Sequence, residues 1–218
     1  MYKKVFKRII DIVISLLAMP FIAIILLIFA PIIHLTDKGP VFYNADRLGK
    51  DGKVFKMFKL RSMRVNAPDL RNPDGSTYNG DDDPRVTSVG RFMRKTSIDE
   101  LPQFLNVLIG DMSIIGPRAH ITKSYKGYEF LDDVRRRRLA VRPGITGYNQ
   151  AYFRNSVTSE QKLLNDVYYV DNLSFVLDIK VFFKTIFSVL KRENVYVSTP
   201  AENVIEVKAE KETVGADK

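Results

Sequence analysis

The chain has 218 residues, 45% of them hydrophobic, and no cysteine. That length suits one compact domain with its own core, and the missing cysteines exclude disulfides, a thiolate metal site and a cysteine nucleophile. A formal charge of +9 draws the chain to something anionic, whether nucleic acid, phospholipid headgroups or a phosphorylated substrate.

No residue from Ile12 to Phe29, or in Pro31-Ile32-Ile33, is charged. As helix this run is about 33 Å long, enough to cross the apolar part of a bilayer. Lys3, Lys4, Lys7 and Arg8 precede it and Lys38, Arg47, Lys50 and Lys53 follow it, so the positive-inside tendency pulls both ends to the cytoplasmic side. Pro20 lacks an amide proton and clashes with the carbonyl four residues back. Together these features predict a helix-break-helix at Pro20 that enters and leaves by one leaflet. The rival reading is a proline-kinked helix that spans the bilayer. A cleaved signal peptide fits less well, because Ala30-Pro31 is a poor cleavage site.

After the turn Thr36–Pro40 comes a β-like run, Val41-Phe42-Tyr43, and then an Asp51-Gly52 hairpin signal with Val54–Lys59 as the return strand. Lys59 and Arg61 could meet phosphate, although an isolated basic pair is also a common solvated feature. Residues 65–84 read as loop and end in Asp81-Asp82-Asp83-Pro84, a solvated acidic turn more readily than a cation site, since no ligand alternation follows.

Ser97-Ile98-Asp99-Glu100 fits a capping box, with Glu100 reaching back to the serine amide. Its context also admits chemistry. Arg91, Arg94 and Lys95 precede it, Pro102 implies an irregular first turn, and a carboxylate at a helix start is favoured as an anion, which suits a nucleophile or a metal ligand. An apolar helix then runs to Gly110, and the loop Gly110–Arg118 has the glycines and arginine that let a backbone approach an anion. Arg135 to Arg138 read as the solvated face of a helix that follows Asp132 and Asp133. Arg142-Pro143-Gly144-Ile145-Thr146-Gly147 is a rigid turn whose glycines allow close approach by a ligand, with Arg142 placed to meet phosphate. Phe175, Val176, Ile179, Phe182, Phe183, Ile186 and Phe187 recur at helical spacing with Asp178 off that face. Such a helix packs on a soluble core or lies in a membrane interface.

Taken in order, Gly39–Phe42, Arg47–Lys53, Phe58–Met63, Asp83–Thr87, Thr96–Gln103, Gly110–Arg118 and Arg142–Gln150 resemble the bacterial sugar transferases of the small monotopic phosphoglycosyl transferase family. The resemblance runs from about Lys7 to Asn194 and removes most of the weight from a nucleic-acid partner. It implies transfer of a phosphosugar from a UDP-sugar to polyprenol phosphate, with Asp99 as nucleophile and as ligand to Mg²⁺ and Glu100 assisting. Lys59, Arg94, Arg118 and Arg142 are then the candidates that neutralise the diphosphate, and Pro143, Gly144, Thr146 and Gly147 form the nucleotide-sugar turn. Three places depart from the family pattern, at four residues: Met19 before the break proline, Ala119 after Arg118, and Tyr148-Asn149 after Gly147.

The expected architecture is a single α-rich α+β membrane domain. It divides into a re-entrant segment at 1–36, a catalytic part at 37–194 and a variable tail at 195–218. Its expected place is the cytoplasmic face of the bacterial inner membrane, with phospholipids and downstream glycosyltransferases as further partners. The competing reading is a non-catalytic membrane scaffold of a polysaccharide pathway, in which Asp99-Glu100 is a cap and nothing more.

Overall fold

The long apolar run forms one helix, α1 (Lys7–Asp37), which is entered through a π-helical turn at Tyr2–Phe6 and closed by Lys38 in the left-handed region at φ 56°. The computed structural model describes residues 2–72, 78–122, 125–154, 156–191 and 205–207. The helix-break-helix expected at Pro20 is therefore a single helix here, with Pro20 and Pro31 both inside α1. A proline forfeits only its own amide bond, and in an apolar run the neighbouring backbone groups have no better partner than the helix itself. At about 1.5 Å per residue α1 is roughly 46 Å long, and Leu17, Phe21, Leu27 and Leu35 along it are exposed.

Both ends of α1 are fastened to the rest of the chain. At its start, the Tyr2 hydroxyl donates to Asp178 (2.5 Å) and Lys7 pairs with the same carboxylate (2.7 Å). Arg8 donates to the carbonyls of Val107 and Leu108, while the Asp11 carboxylate accepts the Ile114 amide. At its end, the buried Arg61 guanidinium pairs with Asp37 (2.6 Å) and donates to the carbonyls of Pro40 and Ile33. Arg61, one of the two phosphate candidates at Phe58–Met63, is thus occupied in holding the helix end.

The hairpin signal is realised. Strands β1 (Ala45–Leu48) and β2 (Val54–Met57) pair antiparallel with Arg47 opposite Phe55, and Asp51 and Gly52 in the connection sit at φ 55° and 77°. Of the run Val41–Tyr43, Phe42 forms a lone bridge to Leu60, and the flanking amides of Tyr43 and Arg61 bond to Lys59 and Val41. Strand β3 (Asp69–Arg71) pairs with β7 (Ile205–Val207), which falls within the expected tail; the remainder of 195–218 lies outside the described residues. Strands β4 (Ser113–Ile115) and β6 (Gly144–Thr146) run parallel, and β5 (His120–Ile121) extends the hairpin in the order β2-β1-β5.

Helix α2 (Ser88–Thr96) starts at Thr87, whose hydroxyl accepts the Gly90 amide. It lies so close to the preceding loop that a Cβ on Gly90 would sit 1.9 Å from the Ser62 carbonyl. Next come α3 (Gln103–Ile109), which ends at Gly110 as its sequence indicates, α4 (Asp133–Arg138), α5 (Tyr148–Tyr152), α6 (Ser159–Asp171) and α7 (Phe175–Lys191). Phe55, Val107, Met112, Ile114, Tyr169 and Val181 anchor the main apolar cluster, and Ile33 of α1 joins Leu60 and Met93 in a second.

In α7 the polar residue faces inward. Asp178, expected off the packed face, is 5% exposed and accepts bonds from Tyr2, Lys7 and Tyr169, whereas Phe175, Val176, Phe183 and Phe187 point out, Phe183 at 63% exposure. A carboxylate can be buried when three donors meet it; the apolar stripe left outside, like that of α1, suits an apolar medium. The α-rich α+β class read from the sequence holds.

Replacing Arg61 by alanine leaves Asp37 and the carbonyls of Ile33, Pro40 and Met63 without their donor. The expected loss is about 3 kcal/mol, read by denaturant unfolding of the detergent-solubilised protein.

Candidate active site

Asp99 and Glu100 occupy a 3-10 turn, Ile98–Glu100, between α2 and α3. The capping box expected at Ser97 is absent. Ser97 sits at φ 57° as the residue that ends α2, its side chain caps nothing, and the Glu100 carboxylate points elsewhere. The physical reason is the proline: Pro102 cannot donate a helical amide bond, so the regular helix starts only at Gln103 and the preceding turn tightens. The irregular first turn read from Pro102 is what frees both carboxylates.

Lys59 and Arg118 meet those carboxylates. The Lys59 ammonium lies 2.9 Å from Asp99 Oδ2 and 3.2 Å from Glu100 Oε1, and an Arg118 guanidinium nitrogen is 3.2 Å from the same Glu100 oxygen. Asp99 is 2% exposed. Its main chain is locked as well, because the Leu60 amide donates to the Asp99 carbonyl (2.9 Å). The segment that carries Lys59 is set by the buried Asn106 of α3, whose side chain accepts the Phe58 amide and donates to the Lys56 carbonyl, both at 2.8 Å. Helix and strand end are joined like two strands by one amide side chain.

Electrostatics follow from this geometry. Burial pushes the Glu100 carboxyl up, but Lys59 and then Arg118 outweigh it and hold the group at about 2. For Lys59 burial opposes the charge, and Asp99 and Glu100 more than restore it, so its pKa rises. Glu100 is therefore a fixed anion near neutrality and a weak proton donor, better suited to aiming Lys59 and Arg118 than to handling a proton.

Arg118 is aimed from behind by residues that the sequence reading passed over. Arg138 donates to the Arg118 carbonyl (2.8 Å) while its guanidinium is paired at 2.7 Å with Asp166, which is 2% exposed. Burial raises the Asp166 pKa and Arg138 counters it. Arg138, expected on a solvated face, is thus the inward residue of α4, its side chain 11% exposed.

The other candidates lie elsewhere. Arg94 turns to Ser62 and Asn79, with Asp83 at 3.9 Å. Arg142 donates to the Gly110 carbonyl at the far end of α3, close to the carbonyls bonded by Arg8, where cations suit the helix dipole. Gly144 and Gly147 lie close against backbone: a Cβ on either would lie 2.1 or 2.0 Å from Gly116, while Thr146 bonds to Thr185. Pro143 is buried, and its carbonyl accepts the Ser113 amide. The acidic turn is internally satisfied, with Asp83 fully buried against Arg85 and Asp82 taking the Tyr78 hydroxyl.

No cluster of three or more acidic or histidine ligands exists among the described residues. Mg²⁺ keeps several waters and takes one or two carboxylates plus phosphate oxygens, so two adjacent hard-oxygen donors, Asp99 and Glu100, fit it without a third.

An exposed apolar helix is thus fastened by both ends to one small domain that carries a cation-bridged carboxylate pair, with Asp99 buried and Glu100 partly so. The chain belongs to the bacterial sugar transferase family, whose model matches residues 2–192. It is 40% identical over 197 residues to the UDP-glucose:undecaprenyl-phosphate glucose-1-phosphate transferase of Klebsiella pneumoniae, covering 88% of this chain and 42% of that protein. It is 38% identical over 187 residues to the UDP-N-acetylgalactosamine-undecaprenyl-phosphate N-acetylgalactosaminephosphotransferase of Aeromonas hydrophila, covering 84% and 43%. The exopolysaccharide production protein PSS of Rhizobium leguminosarum bv. phaseoli is 40% identical over 196 residues, and there the match covers 86% of this chain and 96% of the relative. The chain thus spans about two fifths of some curated relatives and nearly all of another.

Glu100 supplies a test by pH. Its pKa falls from 4.5 to about 2 on folding, so its stabilising contribution is present above pH 4.5 and is lost as the pH drops towards 2. The Tm difference between wild type and Glu100→Gln is expected to narrow as the pH is lowered from about 5.5 to about 3.

Proposed function

We propose that the chain moves a phosphosugar from a UDP-sugar to polyprenol phosphate, giving polyprenyl diphosphate-sugar and UMP. The observation that carries this reading is the Asp99–Glu100 pair bridged by Lys59, with Arg118 on Glu100, a nucleophile set among the charges a diphosphate requires. Relatives named for undecaprenyl-phosphate sugar transfer support the substrate class.

In the proposed sequence, an Asp99 carboxylate oxygen attacks the sugar-bearing phosphorus of the donor. The bond from that phosphorus to the bridging oxygen breaks, and UMP leaves with the electron pair. A phosphate oxygen of the polyprenol phosphate then attacks the same phosphorus, the product forms and the Asp99 carboxylate is released. Lys59 shifts its charge from Asp99 to the donor phosphates as they enter, and Arg118, held by Glu100 and by Arg138, meets the developing charge on the equatorial oxygens. Asp99, with Glu100 beside it, would hold Mg²⁺, which supplies charge neutralisation of the diphosphate when bound.

The same proposal extends to topology. Tyr2, Lys7 and Arg8 at one end of α1 and Asp37 at the other bond to one domain, which supports both ends of the helix lying at the cytoplasmic face rather than at opposite faces. Both substrates, one soluble and one lipid, then reach Asp99 from a single side.

Two measurements test these readings. Asp99→Asn is expected to reduce UMP release from UDP-sugars by about a thousandfold or more in protein shown by circular dichroism to be folded, and chelation of divalent cations should stop the wild type; full turnover by a folded Asp99→Asn protein would remove the nucleophile assignment. Because the chain lacks cysteine, Lys3→Cys and Lys38→Cys each introduce a single thiol. Both should resist an impermeant reagent outside intact cells and react once the membrane is opened; labelling of one alone from outside would mean a full span.

A further inference from the structure

We propose that Arg8 and Arg142, side by side where the end of α3 meets the start of α1, hold the phosphate of an anionic phospholipid headgroup. Charge is the first argument. Arg8 donates to the carbonyls of Val107 and Leu108, and Arg142 donates to that of Gly110 through Nε alone. A helix C-terminus carries about half a unit of negative charge, so two guanidiniums exceed what it can balance. Among the described residues no carboxylate lies within ion-pair distance of either arginine, Asp111 next to Gly110 included. Asp11 is buried and accepts the Ile114 amide. Burial and then Arg142 both disfavour the charge on Arg8, and Asp11 restores only part of it. An anion held between the two guanidiniums would remove that repulsion.

Place is the second. Arg142 is exposed, and its two terminal nitrogens carry no hydrogen bond among the described residues, which leaves a two-pronged donor for a phosphate. A Cβ on Gly110 would meet only Arg8, at 3.5 Å, so the end of α3 is open on that side. Around the pair the surface turns apolar. Ile109 is exposed at the end of α3, and Val5, Ile9 and Val13 are exposed at four-residue spacing along the start of the apolar helix. Paired cations at the head of an apolar strip suit a lipid, with its phosphate on the arginines and its chains along α1. A free phosphate makes no use of the strip. The pair is also set apart from the reactive carboxylates, because α3, seven residues or about 10 Å long, lies between them, so this phosphate is not one that reacts.

The test uses the full chain in detergent micelles. Ile109→Cys gives a single thiol beside the pair, since the chain has no other cysteine, and a fluorophore placed there is quenched by lipids that carry a nitroxide on an acyl chain. Labelled phosphatidylglycerol is expected to quench at about tenfold lower concentration than labelled phosphatidylcholine, and Arg142→Gln to remove about fivefold of that preference. Lys38→Gln, at the other end of α1, should leave the preference within about twofold of its starting value. Equal quenching by the two lipids would overturn the site, and so would an equal loss from Lys38→Gln, which would reduce the preference to general attraction by a basic protein. Displacement of the quencher by inorganic phosphate would give the pair to free phosphate, and displacement by polyprenol phosphate in preference to unlabelled phosphatidylglycerol would give it to the acceptor; either result overturns the headgroup assignment. Should Arg142→Gln not fold, Arg142→Lys keeps the charge and gives up the fork: a preference reduced about threefold supports the site and an unchanged one overturns it. The quenching needs no turnover, so a failure of sugar transfer and a failure of this site are read separately.

Discussion

The structure depends on one buried carboxylate that is not allowed to stand alone. Asp99 is almost fully enclosed, and an unpaired anion there would cost several kcal/mol, so the fold must deliver a cation to it. Lys59 is that cation, and its placement recruits much of the domain. The Asn106 side chain sets the end of β2, the Leu60 amide holds the Asp99 carbonyl, and Leu60 itself packs against Ile33 of the apolar helix. A bond between two side chains thus connects the reactive turn, the central hairpin and the membrane segment.

The apolar helix is part of the same economy of charge. Buried Asp178 at its start and Arg61 at its end each gather several partners, and both lie at points where α1 meets the domain. Polar fastening at the two ends, with apolar side chains exposed between, locates the helix without any need for it to be buried in protein. The orientation of α7 obeys the same rule, for with Asp178 pointing inward Phe175, Phe183 and Phe187 are left exposed while Phe182 packs on the core.

Several local features were legible because they depend only on neighbours in sequence. Asp51-Gly52 favours positive φ at two successive residues and so makes a hairpin; Gly110 ends a helix; Pro102 prevents a regular first turn at Asp99. Other residues had a plausible local reading that distant partners displaced. Arg142 was read beside two glycines as a phosphate ligand, and the fold places it on the Gly110 carbonyl at the end of α3, with both glycines lying close against Gly116. Arg138 looked solvated until Asp166, 28 residues on in α6, appeared beneath it.

The sequence by itself determined the apolar segment, the basic balance, the order of motifs and the adjacency of Asp99 and Glu100, since each is a property of composition or of a few successive residues. Only the tertiary structure decided which of many lysines and arginines serve the carboxylates. The selection of Lys59 and Arg118 over Arg94 and Arg142 is made by contacts between residues 18 to 41 positions apart. A charged side chain carries the same charge wherever it stands in the chain; its role is set by which opposite charge, carbonyl or solvent the fold brings within about 3 Å of it.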